Sequence, residues 1–129
     1  MTVDAAYLQS MVWSYLMTIA IETPVLVVGL AKPHRLWVRL VAGVGLTACT
    51  YPLLWLALPA VIALDRRGLF LAVGETLVPV AECAIFFLVF ELGRGYSWRV
   101  LRRDWITIVL ANLASFGIGE VIHVLWPNL

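Results

Sequence analysis

Charge is scarce in this chain. Nine Lys and Arg and eight Asp and Glu are spread over 129 residues, 13% of the whole, where a soluble domain carries about 25%. A net charge of +1 leaves no basic surface for nucleic acid. Cysteine is nearly absent, and Cys49 and Cys83 match no zinc or redox spacing, so neither a disulfide framework nor a thiolate metal centre is expected. There is no Gly-rich phosphate loop, no haem-attachment motif and no nucleophile–base set. No catalytic residue and no cofactor are expected, and the sequence leaves a metal undecided. Long polar stretches are missing too, which leaves no room for a soluble domain.

What fills the chain instead is apolar. Hydrophobic residues make up 63% and mean hydropathy is +0.96, more than a soluble interior of this size can bury. A helix needs about 20 mainly apolar residues to cross the hydrocarbon core, and four segments qualify: Ala5 to Ala31, Leu40 to Leu64, Gly68 to Phe90 and Trp105 to Leu129. With their flanks they predict helices over about 5–31, 36–64, 68–92 and 105–127. The first span lacks a basic leader and a small-residue cleavage site, so it is read as a retained helix rather than a signal peptide. The runs are continuous, which argues against alternating barrel strands. The expected fold is all-α, an integral membrane protein built as an up-down bundle of four transmembrane helices joined by short connections.

The connections carry most of the charge. Lys32, Arg35, Arg39, Arg94, Arg99, Arg102 and Arg103 belong to the first and third, against Arg66 and Arg67 on the second. Loops rich in Lys and Arg stay cytoplasmic. Loops 32–39 and 91–104 are therefore expected in the cytoplasm, with both termini outside a plasma or inner membrane. Trp37, Trp98 and Trp105 mark one interface, and Trp13, Trp55 and Trp126 the other. The Arg-rich third connection sets topology; contact with anionic head groups or an acidic partner is the alternative.

A shift of 60 residues places 11–64 on 71–124, with Glu22 on Glu82, Arg39 on Arg99 and Thr47 on Thr107. Two tandem two-helix hairpins would be related by a pseudo-twofold axis along the membrane normal. Coincidental placement of one Glu and one juxtamembrane Arg per half is the competing account.

Ionisable groups inside a bilayer are costly and usually face other helices or a wet cavity. Glu22 and Glu82 fall near mid-depth, level with Thr47 and Thr50 on the second helix and with Asn112 and Ser115 on the fourth. These six residues form the candidate binding layer. Ser14, Thr18 and Glu22 share a face by their spacing of four. Pro24, Pro52 and Pro79 each free a carbonyl four residues earlier, at Ala20, Ala48 and Glu75. Gly43-x-x-x-Thr47 and Ser115-x-x-x-Gly119 allow close helix approach. The hydroxyls alone are adequately explained as packing contacts. A second cluster nearer the outer face comprises Glu75, Glu120 and His123, in which Glu120-x-x-His123 has half of a di-iron motif. His34 sits in a loop with no evident partner.

Three functions remain open. The first is a small transport or permeation protein whose mid-membrane carboxylates bind a cation, proton or polar solute. The second is a non-catalytic subunit or assembly factor of a larger membrane complex. The third is an intramembrane enzyme acting on a lipid or prenyl substrate, with Glu82 as general acid. Expected partners are the lipid bilayer and either further copies of the chain or a membrane partner protein, without nucleic acid.

Overall fold

A computed structural model describes residues 4–62 and 66–127. The expected end of the second helix at 64 and the connecting Asp65 lie outside the described residues. Four helices make up the described chain: α1 (Ala5–Gly29), α2 (Leu36–Val61), α3 (Arg67–Glu91) and α4 (Trp98–Leu125). Each is long and apolar enough to cross a membrane, and among the described residues there is no strand. α1 packs against α2 and α4, and α3 closes the ring against the same two helices.

Local chemistry explains the ends. The Asp4 carboxylate accepts the Tyr7 N–H at 2.8 Å and starts α1. At the other end, the last carbonyls of a helix have no intrahelical donor. Arg39 supplies donors to Val27 O at 2.6 Å and Ala31 O at 2.8 Å, while Arg103 reaches Gly29 O at 2.9 Å. Two of the arginines counted for topology thus also close the end of α1.

α4 starts earlier than expected. Ser97 is its N-cap, accepting from Val100 N–H at 3.4 Å, so the helix begins at Trp98 and not at 105. Arg99, Arg102, Arg103 and Asp104 stand on its first two turns rather than in a loop. The third connection shrinks to 92–97, where Gly93 (φ 75°) and Gly95 (φ 70°) adopt the left-handed conformation that glycine tolerates.

Prolines shape α2 and α3. In α2, Pro52 is followed by a π-turn over Leu53–Ala57. Pro59 leaves the Trp55 carbonyl without its helical N–H. The Tyr7 hydroxyl takes that carbonyl at 2.6 Å. A second π-turn, Phe87–Glu91, ends α3.

The interior and the exterior are inverted relative to a soluble protein. Val28, Val61, Trp13 and Val124 are among many large apolar side chains that face outward. Glu22, Glu82, Glu91 and Asp104 are buried beside the apolar core of Leu26, Leu30, Leu46, Phe86 and Ile108. Such a surface suits lipid and is ill matched to water. Close approach is made at Gly43, where an added Cβ would lie 2.3 Å from Thr23 Oγ1, and at Gly29, where it would lie 2.5 Å from Thr107 Cγ2. Gly119 differs from expectation. Nothing lies within 4 Å of its absent Cβ, so it packs no helix within the chain.

Candidate functional site

Six polar side chains from four helices meet around Glu22 and Glu82. Glu22, 2% exposed, accepts Thr47 Oγ1–H from α2 at 3.2 Å and Ser115 Oγ–H from α4 at 2.6 Å. Glu82, also 2% exposed, accepts Thr50 Oγ1–H from α2 at 3.0 Å and Asn112 Nδ2–H from α4 at 2.7 Å. Each acid is clasped between α2 and α4. Among the described residues neither has a cationic partner, because the ion pairs there are His34–Asp104 and Arg67–Glu120.

Helical spacing makes this convergence possible. Thr47 and Thr50 share one stripe of α2, and Asn112 and Ser115 one stripe of α4. Gly43, one turn before Thr47, lets α1 approach closely enough for Glu22 to reach across. Thr18, a turn before Glu22, contacts the Tyr51 hydroxyl at 3.0 Å and extends the polar seam toward the N-terminal end.

The three hydroxyls carry one proton each and have two or three acceptors within reach. Thr47 can serve Glu22 or Gly43 O at 3.4 Å, and Thr50 can serve Glu82 or Leu46 O at 3.1 Å. Ser115 can serve Glu22 or Asn112 O at 3.0 Å. A hydroxyl both donates and accepts. The same positions therefore accommodate an ionised acid, which accepts hydrogen bonds from the hydroxyls, or a protonated one, which donates a hydrogen bond to a hydroxyl oxygen. Asn112 is more constrained, since its second amide proton goes to Ile108 O at 2.9 Å.

The expected outer cluster does not assemble. Glu120 pairs with Arg67 at 2.6 Å at a half-exposed position, and His123 is exposed on the last turns of α4. Glu75 is half-buried on α3, two turns from Glu82. The three do not bring ligand atoms together.

His34 does have a partner, against expectation. Its Nε2 lies 2.6 Å from Asp104 Oδ2, with both side chains buried. Asp104 Oδ1 accepts the Ala31 N–H at 2.8 Å. Glu91 completes the group, its Oε1 accepting the Trp105 indole N–H at 3.1 Å. Donor atoms of His34, Glu91 and Asp104 all lie within 4.8 Å of one another. One signal could have found the group: Trp98, Leu101, Trp105 and Ile108 recur at helical spacing behind a capping serine, which places Asp104 inside the helix.

Shifted by 60 residues, the two acids correspond but their donors do not. Thr47 falls on Thr107, which donates to Gly29 O at 2.9 Å, and Ser115 falls on Trp55. Compared with known protein families, curated proteins and solved structures, the chain has no match, and what it does must be argued from these residues.

Proposed function

We propose that this chain is a small membrane transport protein in which Glu22 and Glu82 bind a proton or a cation in transit. Its four helices run up and down through a plasma or inner membrane. The Lys- and Arg-rich ends, 32–39 and 91–104, face the cytoplasm and both termini face outside. A tandem hairpin ancestry would account for the paired acids.

One observation carries the proposal. Two buried carboxyl groups are held by side-chain donors from α2 and α4, without a cationic partner among the described residues. An ionisable group at membrane depth costs a few kcal/mol on insertion scales, and packing alone gains nothing from that cost. Two donors on each acid leave part of its acceptor capacity open. A cation or proton can use it while the hydroxyls turn to the backbone carbonyls already within reach. Glu75 lies between this layer and the end of the bundle that holds Arg67 and Glu120, and provides a stepping position for a cation. Proton flux into proteoliposomes, compared between the parent and the Glu22→Gln, Glu82→Gln double variant, tests the assignment.

A second reading, a non-catalytic subunit within a larger membrane complex, is favoured by the open surface of α4. Gly117 and Gly119 have nothing within 4 Å of their absent Cβ atoms, and small residues are where another membrane helix approaches closely. The two readings are compatible if the transport path is completed by a second copy.

A further inference from the structure

The buried group at the other end of the bundle is a second site, independent of the mid-membrane acids. Glu91 stands nine residues after Glu82 on α3, about 13 Å along the helix. His34 comes from the first connection, Glu91 from the end of α3 and Asp104 from the second turn of α4. Exposures of 5%, 3% and 0% take all three out of contact with solvent.

Each acid has one oxygen occupied from outside the group. Asp104 Oδ1 is held by the Ala31 N–H, and Glu91 Oε1 by the Trp105 indole N–H. This leaves Asp104 Oδ2 toward His34 and Glu91 Oε2 buried without a hydrogen-bond partner. An orphaned carboxylate oxygen in a dry interior needs a proton or a metal ion. Nearby arginines do not neutralise the group. Arg39 is spent on Val27 O, Ala31 O and His34 O, and Arg103 on Gly29 O. The imidazole is fixed edge-to-face between Phe86 at 5.2 Å and Tyr96 at 5.4 Å, and so cannot swing away.

The geometry points to a divalent transition-metal site formed by His34, Glu91 and Asp104. One nitrogen and two carboxylate oxygens suit Zn²⁺, Mn²⁺ or Fe²⁺ rather than a thiolate-seeking ion. Ligand atoms at about 2.0–2.2 Å from one tetrahedral ion lie roughly 3.3–3.6 Å apart. His34 Nε2 and Asp104 Oδ2, 2.6 Å apart, would open by about an ångström around an ion. The outer hydrogen bonds from Ala31 and Trp105 are the kind that orient metal-bound carboxylates. A cavity of about 290 Å³ lined by His34, Trp37, Phe90, Arg94 and Tyr96 adjoins the imidazole. Of the three groups only His34 lines it, beside Arg35 and Arg94. Two carboxylates with a dication are neutral together, which removes the charge that burial penalises.

Co²⁺ is the probe, titrated into full-length protein stripped with chelator in detergent micelles or nanodiscs. Binding is followed by calorimetry and by the visible ligand-field spectrum. The expected result is one Co²⁺ per chain, weakened at least about 100-fold in Glu91→Gln and about 10–100-fold in Trp105→Phe, which keeps every ligand but loses an outer hydrogen bond. Glu91→Gln should retain the helical content of the stripped parent, since the glutamine oxygen still accepts the Trp105 indole N–H. Absence of stoichiometric binding by the parent overturns the assignment. Equal binding by the parent and Glu91→Gln overturns it as well. Neither measurement involves transport, so the site stands or falls apart from the role of Glu22 and Glu82.

Discussion

Thr47 and Thr50 stand three residues apart on one face of α2 and reach opposite neighbours, Glu22 on α1 and Glu82 on α3. One helix thereby holds both acids, and α4 holds them again from the far side through Ser115 and Asn112. The layer is a closed polar seam, not a scatter of tolerated side chains. Whether the seam is a site or a clasp is an experimental matter with divergent outcomes.

Glutamine keeps the size of glutamate and one acceptor oxygen but cannot ionise, and the hydroxyls facing its amide nitrogen can turn to the backbone carbonyls within reach. In proteoliposomes the double Gln variant is expected to lose proton or cation flux at least tenfold while folding normally. Its residual flux should no longer change with pH between 5 and 8. Flux equal to that of the parent, with the same pH profile, would leave the acids as structural elements only.

The hydroxyls contribute to stability on their own account. Thr50→Val and Thr47→Val should each cost about 0.6 kcal/mol, the mean for an interhelical hydrogen bond in a membrane protein, and no more than about 1.7. Reversible unfolding in mixed micelles measures this. A transport layer adds a second effect that a clasp does not: flux should fall by more than the small loss of folded protein explains.

Gly43 separates close packing from function. A methyl group there would meet Thr23 Oγ1 at 2.3 Å and Thr23 Cβ at 2.8 Å, so Gly43→Ala should destabilise by about 1–3 kcal/mol through overpacking. Thr23 has a buried hydroxyl without a partner. Thr23→Ala alone should therefore cost little, and in combination it should recover part of the Gly43→Ala loss. Strict additivity of the two changes in a double-mutant cycle would contradict the contact.

Gly117→Ala and Gly119→Ala make the opposite case. Both positions are open among the described residues and lie inside α4, so alanine should leave the monomer no less stable and raise its stability by up to about 1 kcal/mol through helix propensity. If a second copy seats on this face of α4, native mass spectrometry should show the oligomer replaced by monomer. An unchanged distribution of species would place any interface elsewhere.

The orientation is testable without function. In a chain lacking Cys49 and Cys83, Arg94→Cys should resist an impermeant thiol reagent in intact cells and react after permeabilisation. Labelling from outside would invert the topology. Six Lys and Arg remain on that side after the substitution, so the charge bias that sets orientation is kept.

The residues around Glu22 and Glu82 could be picked out in the sequence because charge is so rare inside the four apolar segments. Glu22, Glu82, Thr47, Thr50, Asn112 and Ser115 share a depth and fall on helical stripes, and both properties can be counted along the chain. The His34–Asp104 pair was hidden for the opposite reason. It joins residues 70 apart, and Arg99, Arg102, Arg103 and Asp104 made the start of α4 look like a charged loop. Average hydropathy reports the centre of a span well and its ends poorly, because first and last turns carry the ions that hold neighbouring helices. Glu120 and His123 failed for a related reason. Spacing along one helix says which groups share a face, but Arg67, 53 residues away, decided where Glu120 turned.

The π-turn that ends α3 has a consequence for the inner acid. Glu82 and Phe86 are buried four residues apart, and the next buried position is Glu91, five further on. In an uninterrupted α-helix the inward position after Phe86 would be Phe90, and Glu91 would point about 100° away. The wide turn, closed by Leu92 N–H to Phe87 O at 2.7 Å, absorbs one residue and returns the carboxylate to the interior. A single-residue deletion between 87 and 90 would let α3 close as an ordinary α-helix and keep Glu91 inward, four residues after Phe86, whereas a single-residue insertion there would swivel it by about 100° and leave Glu82 where it is. That one spare residue sets the facing of Glu91 without moving Glu82.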